Sequence, residues 1–189
     1  MPRTRYDAVA IGLHWLIALG ILALIVVGLS MTHLSLSPMT KFQLYQLHKS
    51  IGITVLCAAV LRVLWRLIQR PPPLPVTMPP LERRAAEGAH VALYAFLFFL
   101  PLTGWALVSA SPFNIPTVLY GLIPWPHLPV LSTLTDKAPV EHVLKIAHGK
   151  GAWLLIALAA IHAGAAFRHY FILRDGILQR MLPFGRKAS

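Results

Sequence analysis

KIAHGKGAWLLIALAAIHAGAAFRHY, residues 145–170, is one long apolar run with two histidines set inside it. Crossing roughly 30 Å of hydrocarbon takes about 20 predominantly apolar residues in an α-helix, and this run is long enough. Ionisable side chains are costly inside such a span and by default point to function. His148 and His162 are fourteen residues apart. At about 100° and 1.5 Å per residue they sit ~40° apart around the helix and ~21 Å apart along it. One helix face therefore carries two imidazoles at two depths.

Three further runs have the same character, so the spans read as about Ala8 to Met31, Leu47 to Ile68, Gly88 to Ala110 and Lys145 to Tyr170. Backbone groups in lipid must be satisfied within the segment, which makes each run a helix. The sequence thus predicts an all-α integral membrane four-helix bundle, with residues 1–189 forming a single membrane-embedded domain. Composition agrees: 57% of the 189 residues are hydrophobic and only 12% charged, outside the range of an ordinary soluble domain. The net charge of +11 raises the question of nucleic acid. No basic run interleaves with aromatics, however, and the cations sit at the ends of apolar runs, where membrane lipids are the partner. Cys57 is the sole cysteine, which excludes a disulfide within the chain, a Cys-rich metal site and a C-x-x-C-H haem attachment. The first run is read as a retained helix, because it is long for a signal peptide and lacks a convincing A-x-A exit.

Prolines mark the connectors. Arg70 to Pro80 contains six and reads as a stiff link. Ser111 to Leu144 contains Pro112, Pro116, Pro124, Pro126, Pro129 and Pro139 together with Tyr120 and Trp125, and reads as an apolar flap at the interface. The N-terminus, the second connector and the C-terminus carry twelve basic residues, counting Arg62, Arg66 and Arg168, against five on the opposite side. The positive-inside rule then puts both termini in the cytoplasm. Ile172 to Leu182 alternates apolar residues with Arg174 and Arg180, the pattern of an amphipathic interfacial helix.

Of nine histidines, five lie in or at the mouths of the spans: His14, His48, His90, His148 and His162. His33, His127 and His142 fall in outer loops and His169 at the inner end of the fourth span, where solvated or interfacial histidine is the ordinary reading. Following the topology, His14 is level with His162 near the inner side, and His48, at the start of the second helix, is level with His148 near the outer side. Two pairs at two depths match the need of two haems for two axial ligands each. The competing reading of each histidine is a polar residue hydrogen-bonding between helices. A closed zinc site wants four ligands together, and each level offers two obvious ones. His90 also lies near the inner level, as a polar neighbour of an inner haem or of a quinone headgroup, or as a replacement ligand.

Arg62 lies fourteen residues after His48, hence on the same face near the inner pair, and is the candidate partner for a haem propionate through a forked contact. Snorkelling to headgroups is the alternative for Arg62 and for Arg66. Gly52 and Gly151 would let a flat macrocycle approach the backbone, although small residues also serve helix packing. Lys49, Lys145 and Lys150 flank His48 and His148 and would steer an anion, or neutralise propionates and lipid phosphates.

The fragments I-G-L-H-W around His14, L-H-K-S-I-G around His48, L-R-V-L-W-R-L, A-H-G-K-G around His148 and I-H-A-G-A-A-F-R-H-Y-F around His162 occur in this order. Together they resemble the prokaryotic cytochrome b561 family of inner-membrane dihaem cytochromes, over nearly the whole chain. The resemblance implies two haem b groups, ligated by His14 with His162 and by His48 with His148, and traffic with ubiquinone in a bacterial inner membrane. It further implies an oxidoreductase that passes electrons from a periplasmic donor, superoxide in some members, to the quinone. The alternative within the resemblance is an anchor subunit relaying electrons for a separate periplasmic redox protein. A metal or ion transporter using the same histidines is the third reading.

Overall fold

The computed structural model describes residues 5–75 and 78–183. Its four long helices are α1 (Ala8–His33), α2 (Pro38–Ile68), α3 (Pro80–Ser109) and α5 (Ala138–Arg168), each long and apolar enough to cross a membrane. Each start has a local cause. Asp7 caps α1, accepting the Ala10 N–H at 3.0 Å. Ser37 caps α2 through the Thr40 N–H, with Pro38 in the first turn. Pro80 and Pro139 occupy first-turn positions of α3 and α5, where a missing N–H costs nothing.

Three of the four helices therefore begin seven to nine residues before the hydrophobic runs that announce them, because cap and proline chemistry set the start. His48 consequently sits well inside α2 rather than at its start, His33 closes α1, and His142 lies in α5 rather than in a loop.

In packing, α1 lies on α2, α2 on α3, and α3 on α5. The closely packed core, Ile17 with Val55, Ala58, Ala59 and Leu97, lies midway along α1, α2 and α3. The outward faces are apolar: Leu19, Leu22, Leu64 and Leu154 are all exposed, as expected of helices solvated by lipid. Four long apolar helices make the chain a membrane four-helix bundle.

The segment between α3 and α5 is a lid on one end of the bundle. It contains an antiparallel hairpin, β1 (Thr117–Leu119) with β2 (Ile123–Trp125), and a short helix α4 (Pro129–Ser132). Tyr120 and Gly121 at the turn have positive φ, 52° and 73°. Two buried serines clamp this lid: Ser50 Oγ accepts the Tyr120 N–H and Ser109 Oγ accepts the Leu128 N–H, both at 2.9 Å. Trp105 donates its indole N–H to the Pro126 carbonyl, and the Thr54 and Tyr120 hydroxyls meet at 2.7 Å.

The tail departs from expectation. Instead of an amphipathic helix over Ile172 to Leu182, α5 loosens into a π-helical turn (His169–Leu173), Arg174 adopts a left-handed conformation, and a single 3-10 turn (Leu178–Arg180) follows. Left-handed Arg174 and Gly176 at φ 78° stop helix propagation. The tail then folds under the bundle, where the Trp15 indole donates to Met181 O and Arg180 donates to Pro73 O, both at 2.8 Å. Arg5 also donates to the Leu182 carbonyl.

Candidate functional site

Two histidine pairs occupy the two ends of the bundle. At the lid end, the rings of His48 (α2) and His148 (α5) are 6.3 Å apart, centroid to centroid, at 73°. At the end bearing both termini, His14 (α1) and His162 (α5) are also 6.3 Å apart, at 72°. The structure thus brings together the pairs that depth alone had matched.

The separation can be tested against a metal. Metal–imidazole bonds of about 2.0–2.1 Å, with each ring centroid about 1.1 Å beyond its nitrogen, give centroids about 6.3 Å apart across one ion. Both pairs meet this value. His90 on α3 lies closer to His162, at 5.4 Å and 66°, shorter than two ligands opposed across one ion would give. Of the two histidines facing His162, His14 is the one with the spacing of an opposed ligand.

The surroundings distinguish haem from a bare ion. Among the described residues, no three His, Cys, Asp or Glu side chains converge as a metal ion would need. Haem brings four nitrogens of its own and asks for two. The His148 Nδ1 has two oxygen partners on α3, the Leu100 carbonyl at 3.1 Å and the Thr103 hydroxyl at 3.2 Å. Donation of its N–H to Leu100 fixes the ring and leaves Nε2 for a metal. The His48 Nδ1 is buried without a hydrogen-bond partner, an orphan atom that calls for one from outside the protein.

Backbone is cut back beside the same rings. A Cβ on Gly28 would stand 3.5 Å from the His48 ring, and one on Gly104 only 3.1 Å from the His148 ring. These glycines, rather than Gly52 and Gly151, adjoin the histidines. Gly52 faces open space, and a Cβ on Gly151 would strike Phe99 at 2.8 Å, so its smallness serves the α3–α5 contact. The spacing reveals a rule that the sequence had suggested for α5 and α2. His14 and Gly28, His48 and Arg62, His90 and Gly104, and His148 and His162 are each fourteen residues apart. All four helices therefore present one residue per level along a common face.

Arg62 stands at the level of His14 and His162, yet it is already held by the protein. Its Nε donates to the Tyr94 hydroxyl at 3.1 Å and its Nη1 to the Ala10 carbonyl at 2.9 Å. The three lysines are not equivalent. Lys49 is half-buried and donates to the Pro116 carbonyl at 3.3 Å, beside Gln46, which donates to the same oxygen. Lys145 and Lys150 are exposed. Lys137 joins the lid through Asn114 at 2.6 Å. His127 falls within the field of Lys49 and Lys137, and burial first, then those two cations, lowers its pKa. Sequence reasoning missed Gly28, Leu100, Thr103, Gly104 and Lys137. The fourteen-residue offset applied to His14 and His90 would have found the two glycines.

Comparison with known proteins gives the family. The family profile described as prokaryotic cytochrome b561 matches residues 5–184. Cytochrome b561 homolog 2 of Escherichia coli (strain K12) is 35% identical over 186 residues, covering 98% of this chain and 94% of that protein. The "Probable superoxide oxidase CybB" of Yersinia pestis is 28% identical over 182 residues, covering 95% and 96%. Cytochrome b561 homolog 1 of the same Escherichia coli strain is 25% identical over 185 residues. The chain belongs to the prokaryotic cytochrome b561 family: it is a multi-pass protein of the bacterial inner membrane that uses b-type haem for electron transfer.

Proposed function

We propose that the chain carries single electrons between two haem b groups, one held by His48 and His148 and the other by His14 and His162, linking a periplasmic donor to membrane ubiquinone. The carrying observation is the repeated 6.3 Å separation at two levels of one bundle. Bound haem supplies reversible one-electron chemistry, and the protein supplies position and electrostatics. His148, fixed by Leu100, sets ligand orientation at the outer level, while His48 offers the opposing ring. At the inner level Arg62 retains donor capacity beyond its bonds to Tyr94 and Ala10, enough for a propionate carboxylate.

The family relative named a probable superoxide oxidase favours superoxide as donor. Each superoxide anion would give up one electron and leave as dioxygen, and two such electrons with two protons convert one quinone to quinol. Lys49, Lys145 and Lys150, with Lys137 beside them, concentrate an anion at the lid end. Under the positive-inside rule that end is periplasmic and both termini are cytoplasmic.

The test is reduction of a soluble ubiquinone analogue by the purified protein under an enzymatic superoxide source. The reading predicts quinone reduction above the uncatalysed rate, lost in His48→Ala. Equal rates with and without protein would remove superoxide as donor and leave the relay role for a periplasmic redox protein.

A further inference from the structure

The end of the bundle that bears both termini has an open notch between the start of the chain, the end of α2 and α3, about 420 Å³ counted to its mouth. It is open on one side and lined by several charged side chains, and so suits a charged head.

Three arginines from α2 and the residues just after it, Arg62, Arg66 and Arg70, line the notch with Tyr6 and a single carboxylate, Asp7. That carboxylate is already engaged: its Oδ1 accepts the Ala10 N–H at 3.0 Å and the Trp65 indole N–H at 2.9 Å. The Arg66 guanidinium lies 5.7 Å over the Tyr94 ring. Neither Arg66 nor Arg70 has a hydrogen-bond acceptor among the described residues. Burial raises the Tyr6 pKa against the opposing pull of Arg66 and Arg62, so its hydroxyl remains a donor. Like charges one helical turn apart repel unless an anion lies between them.

What the anion is attached to follows from where the notch opens. Arg66 lies two residues before the end of a membrane-spanning helix, the depth of lipid headgroups. Leu64, Leu67 and Ile68 beside it are 50%, 75% and 71% exposed, a surface for acyl chains. We propose that this notch binds the phosphate of an anionic phospholipid headgroup, held by Arg66 and Arg70 with Tyr6 as a further donor. The site stands independently of the electron-transfer reading.

The test is native mass spectrometry of the full-length, haem-loaded protein titrated with phosphatidylglycerol, with phosphatidylcholine and inorganic phosphate as the other arms. The proposal predicts one retained phosphatidylglycerol per chain, not displaced by millimolar inorganic phosphate. Its affinity should fall about 25-fold in Arg66→Gln/Arg70→Gln, from about fivefold per arginine. The control pair Arg84→Gln/Arg174→Gln, which removes the same charge elsewhere on that end, should retain the lipid. Equal loss in both pairs would overturn the proposal in favour of diffuse surface charge. Displacement by inorganic phosphate would overturn the lipid assignment. Unchanged lipid retention with an altered haem spectrum in Arg66→Gln/Arg70→Gln would assign the arginines to a haem propionate instead.

Discussion

His48 and His148 face each other at 6.3 Å from two helices, and Gly104 of a third helix lies against the His148 ring with its missing Cβ only 3.1 Å away. On the proposed function, an opposed histidine pair and a trimmed backbone at one level would make a slot for a flat group.

The slot should therefore be sensitive to one added side chain. Gly104→Val is expected to abolish haem at the His48/His148 level while leaving the His14/His162 level loaded, giving half the wild-type haem per chain. Gly88→Ala, on an exposed turn of α3 away from both histidine pairs' facing rings and with nothing within 4 Å, should leave the content unchanged. Haem quantified by pyridine haemochrome separates the two outcomes.

Thr103 and the Leu100 carbonyl hold the His148 ring. Thr103→Val should weaken haem retention at that level about tenfold, in the range typical of lost partners to metal-binding histidines. Thr103→Ser should restore it. Competition with apomyoglobin measures the effect, and equal transfer rates for all three proteins would assign the hydroxyl to helix packing alone.

If an anion is the donor, replacing Lys49, Lys145 and Lys150 with Gln should lower its bimolecular rate several-fold at low salt. The deficit should shrink as ionic strength rises and the Debye length falls below about 10 Å. Stopped-flow rates against salt concentration test this, and parallel curves for wild type and variant would rule out steering.

Asp7 carries a pH dependence of known sign. Burial pushes its carboxyl up, but the Ala10 N–H and the Trp65 indole N–H outweigh that, and its pKa lies below the usual value. A depressed folded-state pKa stabilises above the unfolded value of about 3.9, and the contribution is lost as pH falls through the lower folded value. Asp7→Ala should cost about 1 kcal/mol at pH 7, as loss of an N-cap does. Melting followed by circular dichroism from pH 7 to pH 3 should show wild type and variant converging in acid. A gap that does not narrow as pH falls below about 4 would contradict the assignment.

Much of this was legible because membrane spans leave few alternatives. Residues 145–170 had to be a helix, and a helix fixes where His148 and His162 point. What stayed hidden depended on contacts between distant segments. Glycines carry no chemistry to mark them, so in the sequence Gly28 and Gly104 show only through the fourteen-residue offset from His14 and His90, while Gly151 had looked equally suitable until Phe99 proved to fill the space beside it. Thr103 is one hydroxyl in an apolar run until its 3.2 Å approach to His148 is known. The tail misled because its apolar and basic residues fit an amphipathic helix, whereas left-handed Arg174 and the ties from Trp15 and Arg180 decide otherwise. Ser50 and Ser109 were silent as well, since their role in clamping the lid lies in backbone donors 70 and 19 residues away.

The most direct test of the two-level arrangement is an oxidised-against-dithionite-reduced absorption spectrum with a pyridine haemochrome count, on wild type, His48→Ala and His14→Ala. Two b-type haems in the wild type, with one retained in each variant and distinct spectra for the two survivors, is the predicted result. A single haem in the wild type, or loss of the same haem in both variants, would contradict it.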